Sequence, residues 1–280
     1  MRHWPDTQFR VGISGWRYPP WRKDYYPDGL PQRAELEYAS SRLNSIEING
    51  SFYSLQRPTS YQRWYDETPD GFVFAVKGPR FVTHLKRLAD VDAPLANFFA
   101  SGVFALGNKL GPILWQLPPN FQYDAARLAD FFDRLPRTTI AAAELAKRHD
   151  ERMEGRALLE ARVDQPLRHA LEVRHDSFKT TDFIALAREH DIAVVCADTA
   201  GKWPMFGDVT ADFAYVRLHG AEELYVSGYD AKALDHWARK IRSWKTDTYV
   251  YFDNDVKVRA PYDAEGLARR LGISSAATEV

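Results

Sequence analysis

The stretch RHALEVRHDSFKTTDFIALAREHDIAVVCAD, residues 168–198, reads as a strand, a helix and a second strand. Arg168 to His175 is a short apolar run ending in charge, Phe183, Leu186, Ala187 and His190 recur at helical spacing, and Ala193 to Asp198 is apolar again. A helix between two short buried strands is the crossover that joins parallel neighbours, and such crossovers are right-handed. The alternation continues outward in both directions. Phe9 to Trp16, Ser45 to Tyr53, Phe72 to Pro79 and Pro112 to Pro118 precede it, and Phe213 to Gly220 and Thr248 to Asp255 follow, eight runs in all. Helical patterns fall between them at Arg33 to Leu43, at Thr59 to Thr68 with Thr59 as N-cap, in a segment capped by Asp124, and along Leu234, Trp237, Ala238, Ile241 and Trp244. Eight repeats favour an α/β fold closed as a TIM-type (β/α)8 barrel, a single domain over residues 1–280. An enlarged helical connection, Ala-rich and charged, is expected between strands 4 and 5, from Thr138 to Pro166, with its charges on solvated faces. The tail after Leu271, GISSAATEV, is expected to fray.

Composition sets the bounds on function. With 280 residues, 45% hydrophobic and 27% charged, the chain can bury a large core and is not disordered. A formal charge of −1 supplies no global field, so affinity for an anion or a nucleic acid has to come from a local patch. The lone Cys196 cannot form an internal disulfide, which fits a reducing compartment and excludes a cysteine-based zinc site. MRHWPDTQFR at the start lacks an apolar signal core, and no run approaches the roughly 18 to 20 apolar residues that span a bilayer. A cytoplasmic location and no membrane partner are expected.

Barrel enzymes carry their chemistry at the C-terminal ends of the strands and in the loops that follow. That rule gathers Ser14 and Trp16, Glu47 and Asn49, Lys77 and Arg80, Gln116, Glu172 and Arg174, Asp198, Arg217 and His219, and Asp253 with Asn254. Several fall on one strand face at period two, as Glu172 with Arg174 and Arg217 with His219. Burying such groups costs several kcal/mol, roughly, unless they are paired or used. The sharpest local cluster is KGPRFVTHLKR, residues 77–87, where Lys77, Arg80, His84, Lys86 and Arg87 occur without an acid. An anion is its natural ligand, with Lys77 and Arg80 as the main contacts, Arg174 or Arg217 leaning in, and Lys86 and Arg87 on a helical surface. The loop GWRYPPWRKDYYPDG, residues 15–29, interleaves aromatic rings with cations and reads as a lid or as a stacking surface for sugars or bases. Glu47, Glu172, Asp198, His219 and Asp253 are also ligand types for a divalent metal, but neighbouring cations neutralise them and no HxH or HExxH pair is present. No metal ligand is therefore assigned, and the cofactor stays unknown.

The strand-end strings GISGWRYPPWRKDYYP, SIEINGSFYSLQRP, FAVKGPRFVTHLKRL, LGPILWQLPPNF, LEVRHDSF, ADTAGKWP, ADFAYVRLHG and YVYFDNDVK, in this order, resemble the DUF72 or YecE-like family over nearly the whole chain. The resemblance implies a TIM-type barrel and carries no assigned activity or residue roles. Two functional classes follow from the residues. The first is an enzyme acting by acid/base chemistry on a small anionic, phosphorylated or sugar-like metabolite. Lys77, Arg80, Arg174 and Arg217 would hold the anion, Glu172 or Glu47 would act as base, His219 as acid with Asp253 in the catalytic set, and Trp16 and Tyr53 would shape the pocket. The second is a nucleic-acid-binding protein, with or without metal-dependent phosphodiester cleavage, using the aromatic loop and the segment from Lys77 to Arg87.

Overall fold

All eight apolar runs become strands in the computed structural model, which describes residues 2–3, 8–274 and 276–278. Seven are unbroken: Phe9–Ser14, Ser45–Ile48, Val73–Lys77, Leu110–Gln116, His169–Glu172, Phe213–Leu218 and Asp247–Phe252. The sixth in order is divided into Ile192–Val194 and Cys196–Asp198, where the Val194 amide donates to Thr210 Oγ1 at 2.8 Å. The strands are buried along nearly their full length, as parallel strands between helices must be. Contacts group the chain into two compact units, Met1–Glu47 with Glu67–Val73 and Val194–Val280, and Ile48–Asp66 with Phe74–Ala193.

In the first unit Phe9–Ser14 pairs in parallel with Ser45–Ile48 on one side and with Asp247–Phe252 on the other, then Phe213–Leu218 and Cys196–Asp198 follow. The register sets Ser14 beside Glu47, and Tyr251 beside Arg217. Gly12 permits the first of these pairings, because a Cβ there would lie 1.9 Å from the Ser45 carbonyl oxygen. Helices Glu35–Arg42, Ala231–Trp244 and Ala260–Leu271 belong to the same unit. Ala231–Trp244 starts where Asp230 Oδ1 accepts the Ala233 amide at 2.7 Å and buries Leu234, Trp237, Ala238 and Ile241, the stripe seen in the sequence. Cys196 is buried with Lys240 Nζ 3.7 Å from its sulfur, and burial pushes its thiol up to about 11. The tail departs from expectation at Ala277–Thr278, which pairs antiparallel with Arg2–His3, whereas residues 275 and 279–280 lie outside the described residues.

The second unit holds the parallel set Val73–Lys77, Leu110–Gln116 and His169–Glu172, with Lys77 beside Leu114 and Gln116 beside Glu172. Trp115 is wholly buried and donates Nε1 to His169 Nδ1 at 3.2 Å, while His169 Nε2 lies 2.8 Å from the Pro136 carbonyl. Burial holds His169 down at about 4, so a neutral ring accepts at Nδ1 and donates at Nε2. Helix Pro58–Asp66 begins one residue before the expected cap, with Pro58 supplying a preset φ in the first turn. The connection between Leu110–Gln116 and His169–Glu172 is enlarged and carries helices Ala125–Arg134 and Thr139–Ala146. Its charged second half is less helical than its composition suggests. A 3-10 turn at Glu151–Met153 follows, capped by Asp150 Oδ1 on the Arg152 amide at 3.0 Å, and Gly155 then turns the chain at φ 70. Among the described residues no helix is long and apolar enough to cross a membrane.

Candidate functional site

At the C-terminal strand ends of the first unit, five of the residues singled out in the sequence form one hydrogen-bonded cluster. Arg217 is wholly buried and its Nη2 lies 2.9 Å from Glu47 Oε1, 3.0 Å from Asp253 Oδ2 and 3.0 Å from Ser14 Oγ. Ser14 Oγ donates to Glu47 Oε1 at 2.5 Å, and Tyr215 donates to Glu47 Oε2 at 2.6 Å. His219 sits with Nδ1 3.0 Å from Asp253 Oδ2 and Nε2 3.5 Å from Arg217 Nη1, so both ring nitrogens face charged groups. Two carboxylates thus neutralise one guanidinium inside the protein, with hydroxyls occupying further lone pairs of Glu47. Burial, and next the Glu47 charge, push the Tyr215 phenol well above its usual range, which keeps it a donor. Arg217, expected in an anion clamp, here binds carboxylates of its own chain.

Neighbouring positions in that unit have other partners. Asp198 accepts from Tyr229 OH at 3.1 Å, and burial raises its carboxyl. Asn254 is buried and donates Nδ2 to the Ser227 carbonyl at 2.9 Å and to Asp263 Oδ2 at 2.8 Å, which makes it a brace for its loop. The aromatic loop is packed inward. Trp16, Trp21, Tyr25 and Tyr26 are buried, Tyr26 OH donates to the Trp16 carbonyl at 2.6 Å, and Trp21 stands edge-on to Tyr25 at 5.9 Å between centroids. Of the two readings of this loop, the packed cover accounts for these rings. Asp255 lies two residues beyond Asp253 and was not among the sequence candidates. Burial and then the Asp253 charge raise it to about 6, a range in which a carboxyl can give up a proton near neutrality.

The second unit contains the cationic cluster. Lys77 ends its strand with Nζ 4.3 Å from the centroid of the Phe52 ring, and that ring also meets His84 and Tyr53 edge-on, at 5.2 and 5.1 Å between centroids. Arg80 is exposed, and among the described residues it has no ion-pair partner. Glu172 is wholly buried, and its Oε1 takes both Nε and Nη2 of Arg174 at 2.7 Å, the period-two pairing that the sequence suggests. Burial and then the charges of Lys77, Arg80, Arg174 and Arg87 push His84 down to about 4. The imidazole is therefore neutral at pH 7, and its Nδ1 is 2.9 Å from Thr83 Oγ1. Asn49 precedes the turn Gly50–Tyr53, half-buried, Gln116 is buried at its strand end, and Tyr53 is 70% exposed. Lys86 and Arg87 do not lie on a helix surface. The wide turn Phe81–Leu85 ends before them, and Arg87 and Leu88 take left-handed φ values of 50 and 66, which brings the Arg87 guanidinium to Asn120.

Beside the cluster is a cavity of about 400 Å³, whose lining includes Phe52, Leu55, Arg80, Phe81, Leu85 and Arg152. Arg152, expected on a solvated face, places its guanidinium 5.5 Å from the centroid of the Phe81 ring. Among the described residues no group of three or more His, Cys, Asp or Glu side chains is arranged to hold a metal ion. In the first cluster the same carboxylates are occupied by Arg217.

Comparison with known proteins gives a family and a fold. Residues 10–279 match the family described as "Protein of unknown function DUF72". The UPF0759 protein YecE of Escherichia coli O157:H7 is 25% identical over 249 residues, covering 86% of this chain and 84% of that protein. The UPF0759 protein YunF of Bacillus subtilis is 30% identical over 116 residues, 40% of each chain. A DUF72 family protein from Thermotoga maritima has a TM-score of 0.75 at 23% identity, covering 94% of this chain and 99% of its own. One from Enterococcus faecalis has a TM-score of 0.73 at 15% identity, covering 97% and 98%. These likenesses bear on the fold, which is the α/β TIM-type barrel class expected from the strand–helix alternation.

Proposed function

The chain belongs to the DUF72 family, a family of unknown function, and from that premise we propose that it is an enzyme that holds a small oxyanion at Lys77, Arg80 and Arg174 and moves a proton on that substrate. The observation that carries this reading is the gathering of those cations around one neutral imidazole, with Glu172 held against Arg174. A phosphate or carboxylate there gains charge-assisted hydrogen bonds from Lys77 and Arg80. If the Thr83 hydroxyl donates to His84 Nδ1, the ring proton sits on Nε2, where it can donate to the same oxyanion. Glu172 is the candidate base, since a carboxylate beside a stabilised oxyanion is the arrangement that proton abstraction requires. The single buried thiol of Cys196 supports a reducing, cytoplasmic setting for this activity.

The test uses sulfate, which stays dianionic across the pH range of interest. His84 titrates at about 4 in the free protein, held there by burial and by the surrounding cations. A bound dianion attracts the imidazolium, so the bound-state pKa is higher than the free one. Linkage then requires sulfate to bind more tightly as pH falls from the bound-state pKa toward about 4, with a flat profile above that window. Titration calorimetry between pH 4.5 and 8 is expected to show that slope in the wild type and its loss in His84→Asn. Sulfate affinity that does not depend on pH would remove His84 from the site. Displacement of sulfate by a single-stranded oligonucleotide, with steep salt dependence, would replace this reading with the nucleic-acid one.

A further inference from the structure

The cavity next to the cationic cluster has a chemistry of its own. Its wall is mostly apolar, with Phe52, Phe81, Leu55 and Leu85, and its charged members are Arg80 and Arg152. Two large hydrophobic side chains at this place remain in solvent, Tyr53 at 70% exposed and Leu85 at 63%. Apolar side chains exposed together beside a concave, partly charged surface are the mark of a ligand-binding groove, and a ligand that covers them gains the area it removes from water. The volume of about 400 Å³ falls within the usual range for small-molecule sites, roughly 300 to 1,000 Å³. Two elements are shared with the anion site. Phe52 lines the cavity and also carries Lys77 on its ring, and Arg80 lines the cavity and also belongs to the cationic cluster.

We propose that this cavity receives the aromatic portion of the same ligand whose oxyanion lies at Lys77 and Arg80, so that the substrate class is a small aromatic phosphate or carboxylate. The inference rests on the anion-site reading above. A flat ring in a cavity lined by Phe52 and Phe81 has aromatic walls on which edge-on or offset contacts are favourable, and Arg152, already over Phe81, can extend across it. A purely aliphatic tail would gain area burial there but none of these ring and cation contacts. A bare inorganic anion would leave Tyr53 and Leu85 uncovered.

The experiment compares phenyl phosphate, inorganic phosphate and phenol by titration calorimetry at pH 8.5, where both phosphates are predominantly dianions. Phenyl phosphate is expected to bind about tenfold more tightly than inorganic phosphate, the gain from burying one ring face. Leu85→Asn, a change at an exposed position, is expected to reduce that preference by removing one of the side chains the ring covers, and Lys77→Met to weaken both phosphates. Equal affinity of the two phosphates overturns the aromatic-ligand inference and leaves the anion site standing. Failure of both phosphates to bind overturns the anion site and the inference with it. Phenol binding as tightly as phenyl phosphate also overturns the inference, because the cavity would then act without the cations.

Discussion

Arg217→Met is expected to lower the unfolding free energy by about 3 to 5 kcal/mol, the loss that follows when a buried ion pair is broken from one side. The guanidinium is wholly buried and holds Glu47 at 2.9 Å and Asp253 at 3.0 Å, and Glu47 is wholly buried as well. Without Arg217 the Glu47 charge keeps only the hydroxyls of Ser14 and Tyr215 as described partners. A second change, Glu47→Gln in the Arg217→Met background, replaces the stranded charge with an amide that those hydroxyls can still satisfy. It should recover a large part of the loss. Urea unfolding followed by tryptophan fluorescence measures both. A loss below about 1 kcal/mol for Arg217→Met would place this cluster with exposed pairs, whose usual contribution is about 0 to 1 kcal/mol. Arg134 offers the contrast inside the same chain. It contacts Asp92 at 2.6 Å and Asp130 at 2.8 Å, shorter distances than those of Arg217, yet all three side chains are at least a third exposed. Removing Arg134 is therefore expected to matter much less, because solvent already stabilises the charges it would leave behind.

Lys77→Met is expected to weaken sulfate binding roughly 30-fold, about 2 kcal/mol, as truncation of a largely desolvated charge at a binding site does. Methionine keeps an unbranched chain against Phe52, so the contact that the ammonium makes at 4.3 Å from the ring centroid is replaced without leaving a hole. The same substitution carries a second readout. Lys77 is the foremost of the charges that depress His84, after burial itself, so its removal should move the histidine upward from about 4. Titration of the His84 ring protons by NMR checks this independently of ligand. Unchanged sulfate affinity together with an upward-shifted His84 would show that Lys77 shapes the local field without touching the anion.

Much of this arrangement could be read from residue order. Tyr215, Arg217 and His219 alternate along one strand face, and that periodicity is what brings all three into one cluster. From residue types only the last two stand out, since a tyrosine in an apolar strand looks like core. Tyr251 does sit in the core, bonded only to Ser45 Oγ at 2.7 Å among its described hydrogen-bond partners, so residue type alone does not separate the two roles. The pairing of Glu172 with Arg174 was equally visible as a two-residue interval. What order could not convey was which carboxylates reach Arg217, because Glu47 and Asp253 arrive from distant parts of the chain through strand register. Arg152 and Asp255 were illegible for a related reason. Arg152 lines the cavity from a 3-10 turn beyond the end of helix Thr139–Ala146, and Asp255 owes its raised pKa first to burial, which residue order does not show, and then to the charge of Asp253.

The buried cysteine gives the molecule an internal clock. A thiolate is the reactive form, and with the Cys196 thiol raised to about 11 and its side chain enclosed, alkylation has to wait until strand Cys196–Asp198 and helix Ala231–Trp244, whose Lys240 lies against the sulfur, move apart. With one thiol in the sequence, each chain can be marked once. Labelling by iodoacetamide, counted by intact mass at successive times, would therefore report how often that contact opens, and a ligand whose binding stabilises the strand would slow the clock without any engineered probe.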